Sequence, residues 1–278
     1  MRKIALIAVV AFAAACGSSS SAPAPGNIRL AHLAFGAPAV DFCWAPQGTT
    51  AFTGPAMKGA SDVAGVLYAE ASKYFSLDAG TYTVRLVPFA ANSCAVAVPG
   101  VADIQVVVAS GGYYTVAAAT LLPSGIQLKA FTDDATPDAT KVIIRFVNAV
   151  PGSPAVDIGT GAPTAFFPIF SNLTYLGLAT QGGVVDANGF ASVPASGFTG
   201  TVILTTCLNG VPPSALTCPA SVTLPSNVSG SITNGTVASA FAILLNPAAS
   251  PATGQLLLCG DSTGTVPGTN LSACITAH

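Results

Sequence analysis

Thr81-Tyr82-Thr83-Val84-Arg85-Leu86-Val87 alternates apolar with polar side chains and is rich in β-branched residues, the pattern of a half-buried strand. The same texture recurs at Ile104-Gln105-Val106-Val107-Val108, from Tyr113 to Ala118, from Val142 to Val147 and from Thr201 to Thr206. Gly and Pro punctuate it at Ala79-Gly80, Pro99-Gly100, Gly111-Gly112, Pro123-Ser124-Gly125 and Asn188-Gly189. No helix-period stripe of any length is present. About seven or eight short strands in roughly 110 residues give an all-β fold of the β-sandwich pattern, with closure into a barrel as the alternative.

Working outward, the chain repeats itself. Ile28-Arg29-Leu30-Ala31-His32-Leu33 matches Ile144-Arg145-Phe146-Val147-Asn148-Ala149. Pro38-Ala39-Val40-Asp41-Phe42 matches Pro154-Ala155-Val156-Asp157-Ile158 at the same spacing. Ala79-Gly80-Thr81-Tyr82-Thr83-Val84 is echoed between Ser196 and Val202, and Gly112-Tyr113-Tyr114-Thr115-Val116-Ala117 between Asn234 and Ala238. Gln127 to Phe131 falls where Gln255 to Cys259 falls. Two copies result, residues 27–137 and 141–264, with the second domain carried on to 278 by a tail that disulfides staple. The polar, proline-broken stretch Asp133-Asp134-Ala135-Thr136-Pro137-Asp138 reads as the boundary.

The matched segments resemble domain of unknown function 4397 (DUF4397). They are an Arg followed by a small, His or Asn position, then Pro-Ala-Val-Asp, Ala-Gly-Thr-Tyr-Thr-Val and Gly-x-Tyr-Tyr-Thr-Val. The resemblance spans nearly all of residues 27–264. It implies an exported bacterial protein with two tandem immunoglobulin-like β-sandwich domains. It lends no activity and no functional residues. The second copy departs from the pattern: Asn148 replaces the His, and its counterpart of the Tyr113-Tyr114 strand has no tyrosine.

The chain opens Met1-Arg2-Lys3 and runs apolar from Ile4 to Ala15. Two positive charges and about a dozen apolar residues make a secretory signal, too short for a bilayer core that needs roughly 20. Ala13-Ala14-Ala15-Cys16-Gly17 resembles the bacterial lipobox, which implies cleavage after residue 15 and acylation at Cys16. Ordinary cleavage after Ala13-Ala14-Ala15 is the alternative. Two or more acyl chains make membrane anchoring stable. No aspartate follows Cys16, and by that resemblance the outer membrane is the expected location. Residues 16–26, rich in Ser and Pro, form a tether that reaches up to about 30 Å.

Charged residues are 7% of the chain, against about 25% in ordinary domains. Without Arg2 and Lys3, 7 basic residues face 11 acidic ones. No basic patch exists to neutralise phosphates, which argues against nucleic acid as a partner. The partners expected are the membrane, through the lipid, and a polysaccharide or an envelope protein.

Beyond Cys16 stand six cysteines: Cys43, Cys94, Cys207, Cys218, Cys259 and Cys274. An even number in an exported chain implies disulfides, and six cysteines allow 15 pairings. Cys43 and Cys94 are the only two in the first copy, so they are expected to pair. Cys207–Cys218 and Cys259–Cys274 are expected in the second. Zinc is a poor rival, since no Cys-x-x-Cys exists and the histidines are His32 and His278 alone.

His32 with Asp41 has the residue types of an acid–base pair, but the second copy places Asn148 with Asp157. The simpler role is an aspartate that holds a turn and a half-buried strand histidine. There is no Gly-x-Ser-x-Gly elbow and no His-Glu-x-x-His, and Glu70 is the only glutamate. An enzyme is not expected, a divergent hydrolase being the weakest alternative, and neither cofactor nor metal is called for. Asp186-Ala187-Asn188-Gly189 resembles the start of a calcium loop but reads more simply as a hairpin turn. Asp133, Asp134 and Asp138 have the chemistry to hold a cation between domains, or are a solvated linker.

Trp44, Tyr68, Tyr74, Tyr82, Tyr113 and Tyr114 all lie in the first copy. An exposed face of Trp44, Tyr68, Tyr82, Tyr113 and Tyr114 would stack on sugar rings, and core filling is the competing role. The function expected is that of a non-enzymatic surface lipoprotein with a binding or structural role, with a carbohydrate-binding module in the first copy as the alternative.

Overall fold

Ile28 and Leu30 point to one side of the first strand and Arg29, Ala31 and Leu33 to the other, and all five are buried. A strand covered on both faces reads as a nearly continuous apolar run, as this one does. The computed structural model describes residues 23–121, 125–133, 136–179, 185–198, 202–212, 214, 217, 218, 220–224, 232–246, 253–261 and 274–277. The signal segment 1–15, Cys16 and Asp134 lie outside the described residues.

The fold is all-β. The first repeat contains β1 (Gly26–Leu33), β2 (Val40–Pro46), a one-turn helix α1 (Ala56–Gly59), β3 (Glu70–Ala71) and β4 (Phe75–Leu77). It continues with β5 (Gly80–Pro88), β6 (Ile104–Val108), β7 (Tyr113–Thr120) and β8 (Ile126–Asp133). One sheet runs β3-β1-β7-β8, with β4 also on β1, and the other runs β2-β5-β6. Between them lies a core of Ile28, Leu30, Phe42, Val84, Leu86 and Val116, among others.

The second repeat contains β9 (Val142–Asn148), β10 (Val156–Thr160), β11 (Phe167–Leu173), β12 (Phe190–Val193) and β13 (Val202–Leu208). Then follow β14 (Ala220–Leu224), β15 (Val237–Asn246), β16 (Thr253–Gly260) and β17 (Cys274–Ala277). Its sheets run β12-β9-β15-β16-β17 and β11-β10-β13-β14, around Ile144, Phe146, Phe170 and Leu204.

Strand register aligns the two repeats. β1 runs parallel to β7 as β9 runs parallel to β15, so Arg29–Thr115 corresponds to Arg145–Ser239. The Asn27 amide donates to Gly112 and the Ile143 amide to Thr236, both at 2.8 Å. Gly235 therefore matches Gly111, not Gly112, and both take positive φ, 88° and 71°. Likewise Val84, opposite Trp44, matches Leu204, opposite Thr160, and not Val202.

The β1-β7-β8 and β9-β15-β16 faces pack on each other. Ala31, Ala117, Ala119 and Phe131 meet Val147, Phe241, Ile243 and Leu257 in one buried cluster. The four sheets thus form four layers, with the two inner ones buried on both sides. Three disulfides, Cys43–Cys94, Cys207–Cys218 and Cys259–Cys274, add covalent closure. The last joins β16 to β17, which pairs antiparallel at the sheet edge.

Candidate functional site

The polar residues singled out by the sequence hold backbone. His32 is fully buried rather than half-buried; its Nδ1 accepts from the Ala34 amide at 3.3 Å and its Nε2 faces the Pro38 carbonyl at 3.1 Å. That pairing requires the neutral ring, and burial lowers its pKa accordingly. Asn148 does the same work in the second repeat, accepting from the Val150 amide at 3.2 Å. Asp41 does not pair with His32. Its carboxylate accepts from the amides of Phe42, Met57 and Lys58 at 2.7–3.0 Å, tying α1 to β2. Asp157 instead accepts from the Asn172 amide and the Asn209 side chain.

Asp186 accepts from the amides of Asn188 and Phe190 in a tight loop with Gly189 at φ 81°, which is a turn. Asp133 is not solvated linker: it ends β8, is buried, and sits 2.5 Å from the Arg145 guanidinium. Asp138 is exposed and caps Thr140, which lowers its pKa.

The five aromatic residues do not share one exposed face. Tyr82 and Tyr114 fill the core between the sheets because they stand on its inward-facing positions. Tyr68 packs beside the inter-repeat cluster, and Tyr113 meets Tyr74 edge to face at 5.1 Å. Tyr74 in turn donates to Asp133 and lies under Arg29. Trp44 lines a surface groove, and of the other four Tyr82 reaches a hollow beside it.

That groove, about 620 Å³, is lined by Trp44, Phe75, Thr53, Lys58, Lys73 and Asn92, with the α1 backbone. Its volume falls in the range of ligand sites, roughly 300–1,000 Å³. A second hollow on the other side of Trp44 and Thr53 extends it towards Asp78 and Tyr82. Trp44, Phe42 and Phe75 pack together at ring separations of 5.5–6.1 Å, which fixes the indole.

The groove exists because the outer edge of β2 is only partly covered. Two isolated bridges, Val40–Val66 and Trp44–Thr53, meet it, and between them the chain departs through Gly54 (φ 120°) into α1. In the second repeat β11 runs along the matching edge of β10, from Val156–Leu173 to Thr160–Phe167. There the register shifts, and a Cβ on Gly159 would stand 2.0 Å from the Phe167 carbonyl oxygen. The first repeat has Cys43 at the position of Gly159, so the same close approach is barred.

The family model described as Domain of unknown function (DUF4397) matches residues 26–159. The chain carries a DUF4397 domain. The match begins with β1 and ends within β10, narrower than the resemblance read from the repeats. The DUF4397 domain therefore includes the entire Trp44 groove, Arg29, Asp133 and Arg145, but not Asp261. No curated protein matches the chain.

Lys58, Lys73, Phe75 and Asn92 were not found by sequence reasoning. Two loops, a three-residue strand and a one-turn helix bring them together, and none of these carries a periodic signal. The usable clue was scarcity, since only four lysines follow Lys3.

Proposed function

We propose that this chain is an exported, lipid-anchored, non-enzymatic protein of the cell envelope, and that its DUF4397 domain binds glycan in the Trp44 groove. The observation that carries the binding reading is the half-covered edge of β2, where a fixed indole lies in an open groove. An aromatic ring held in this way offers a flat apolar face to a sugar ring at little entropic cost. A non-enzymatic role fits the engagement of His32 and Asp41 by backbone groups. Export is supported by three disulfides, which persist in oxidising compartments, and by the Met1–Cys16 leader. The lipid at Cys16 places it at the outer membrane in this proposal.

Two experiments test it. Labelling of cells with radioactive palmitate is expected to mark the protein and to fail with Cys16→Ser; an unlabelled wild type refutes the anchor. A polysaccharide screen with the full chain is expected to yield saturable binding that Trp44→Ala abolishes while the melting profile stays cooperative. Binding untouched by that substitution refutes the groove.

A further inference from the structure

The Trp44 groove is not electrically neutral. Lys58 and Lys73 both line it, two of the four lysines beyond residue 3. The three arginines beyond residue 3 are each matched to an aspartate: Arg29 to Asp261, Arg85 to Asp103 and Arg145 to Asp133. Among the described residues, no carboxylate lies within 4 Å of either groove lysine. In a chain whose acidic residues outnumber its basic ones, two unmatched cations in one hollow are a concentration of positive charge.

Their placement is built. Asp41 accepts the Lys58 amide at 3.0 Å and fixes the turn that carries it, and Lys58 Nζ donates to Asn92 Oδ1 at 2.8 Å. The ammonium groups stand over aromatic rings, Lys58 over Phe89 at 5.2 Å and Lys73 over Phe75 at 5.4 Å. Phe75 is also the ring against which Trp44 packs. The positive charges thus border the aromatic floor on one side, while Asp78 lines the far hollow.

We infer that the groove selects an acidic polysaccharide, one whose ring carboxylates meet Lys58 and Lys73 while a sugar ring lies on Trp44. This rests on the glycan-binding reading and adds its substrate class. Charge complementarity decides the occupant. A neutral glycan would leave both ammonium groups without a counter-charge, and an apolar peptide would bury them at a cost. The two hollows share Trp44 and Thr53, so more than one sugar unit can lie against the indole.

Trp44 is the only tryptophan, so its fluorescence reports on the groove directly. The full chain is titrated with polygalacturonate and, in parallel, with the fully methyl-esterified polymer, in which the carboxylates are capped. A saturable change in Trp44 emission with polygalacturonate is expected, weakened roughly tenfold by esterification and by the Lys58→Gln/Lys73→Gln double variant, and weakened by salt. Both lysines are partly exposed, so the variant keeps its fold, which a melting curve checks. Equal affinity for the two polymers, unaffected by the double variant, overturns the acidic class and leaves glycan binding standing. No response to either polymer, together with no binder in the wider screen, overturns both.

Discussion

Arg29 of the first repeat forms a buried ion pair with Asp261 of the second, and Arg145 of the second forms the reciprocal pair with Asp133 of the first. Thr115 and Ser239 complete the set, each donating to its own repeat's aspartate at 2.7 Å. Each arginine also donates to a carbonyl of the other repeat, Arg29 to Gly260 and Arg145 to Thr132. The arrangement is that of a two-fold dimer interface, built within one chain.

Breaking one partner of a buried pair leaves an uncompensated charge and costs about 3–5 kcal/mol. Asp261→Ala and Asp133→Ala are therefore expected to lose similar amounts of stability in urea unfolding, with both repeats melting in a single transition. The double variant is expected to lose less than the sum, because the two sites share one electrostatic cluster. Two separate transitions in the wild type would show that the repeats fold independently.

His32 has its pKa lowered by burial, with the Pro38 carbonyl opposing. As pH falls below about 6.5 the unfolded chain takes up a proton before the folded one does. The stability tied to His32 is thus present above that pH and lost below it. His32→Asn, which copies Asn148, is expected to fold normally and to flatten the acid side of the stability curve between pH 7.5 and 5. An unchanged curve would remove His32 from the account.

Asp261 shifts the other way. Burial pushes its carboxyl up to about 6, although Arg29, Arg145 and Ser239 favour the charged form. The folded state holds this proton at pH values where the unfolded chain, near 4, has released it. Its contribution is complete below about pH 4 and declines as pH rises through about 6. The carboxyl carbon of Asp261 is expected to titrate in NMR with a midpoint near 6. A midpoint below 4 would mean that the ion pair outweighs burial.

Cys43–Cys94 closes a loop with a sequence separation of 51 next to Trp44. The chain-entropy model assigns such a closure about 4 kcal/mol. Cys43→Ser/Cys94→Ser is expected to lower the urea midpoint by a corresponding amount and to weaken glycan binding in step. Unaltered stability would show that the buried contacts of Val87 suffice at that edge.

The strands were legible because alternation and glycine punctuation are local, and the repeat was legible as plain identity at Ile28–Leu33 and Ile144–Ala149. The disulfides followed from which cysteines share a repeat. The inter-repeat interface was not read, although its signal was present: an arginine in the middle of an apolar strand, twice, with Thr115 and Ser239, and Asp133 and Asp261, at matching positions. Asp133 was assigned to a linker because its neighbours are polar, and only strand register shows that it faces inward. The aromatic face failed for a related reason. Type places Tyr82 and Tyr114 on a list, whereas the parity of the strand sends them into the core. The groove itself depends on a non-repeating loop through Gly54, for which periodicity gives no sign.

The most direct measurement of the central claim is hydrogen exchange of the full chain with and without the bound polysaccharide. Protection is expected at residues 53–60 and 73–78, which border Trp44, with no change along the β10–β11 edge of the second repeat. Protection on that second edge, or at the inter-repeat surface with residues 53–60 unaffected, would contradict a binding site at Trp44.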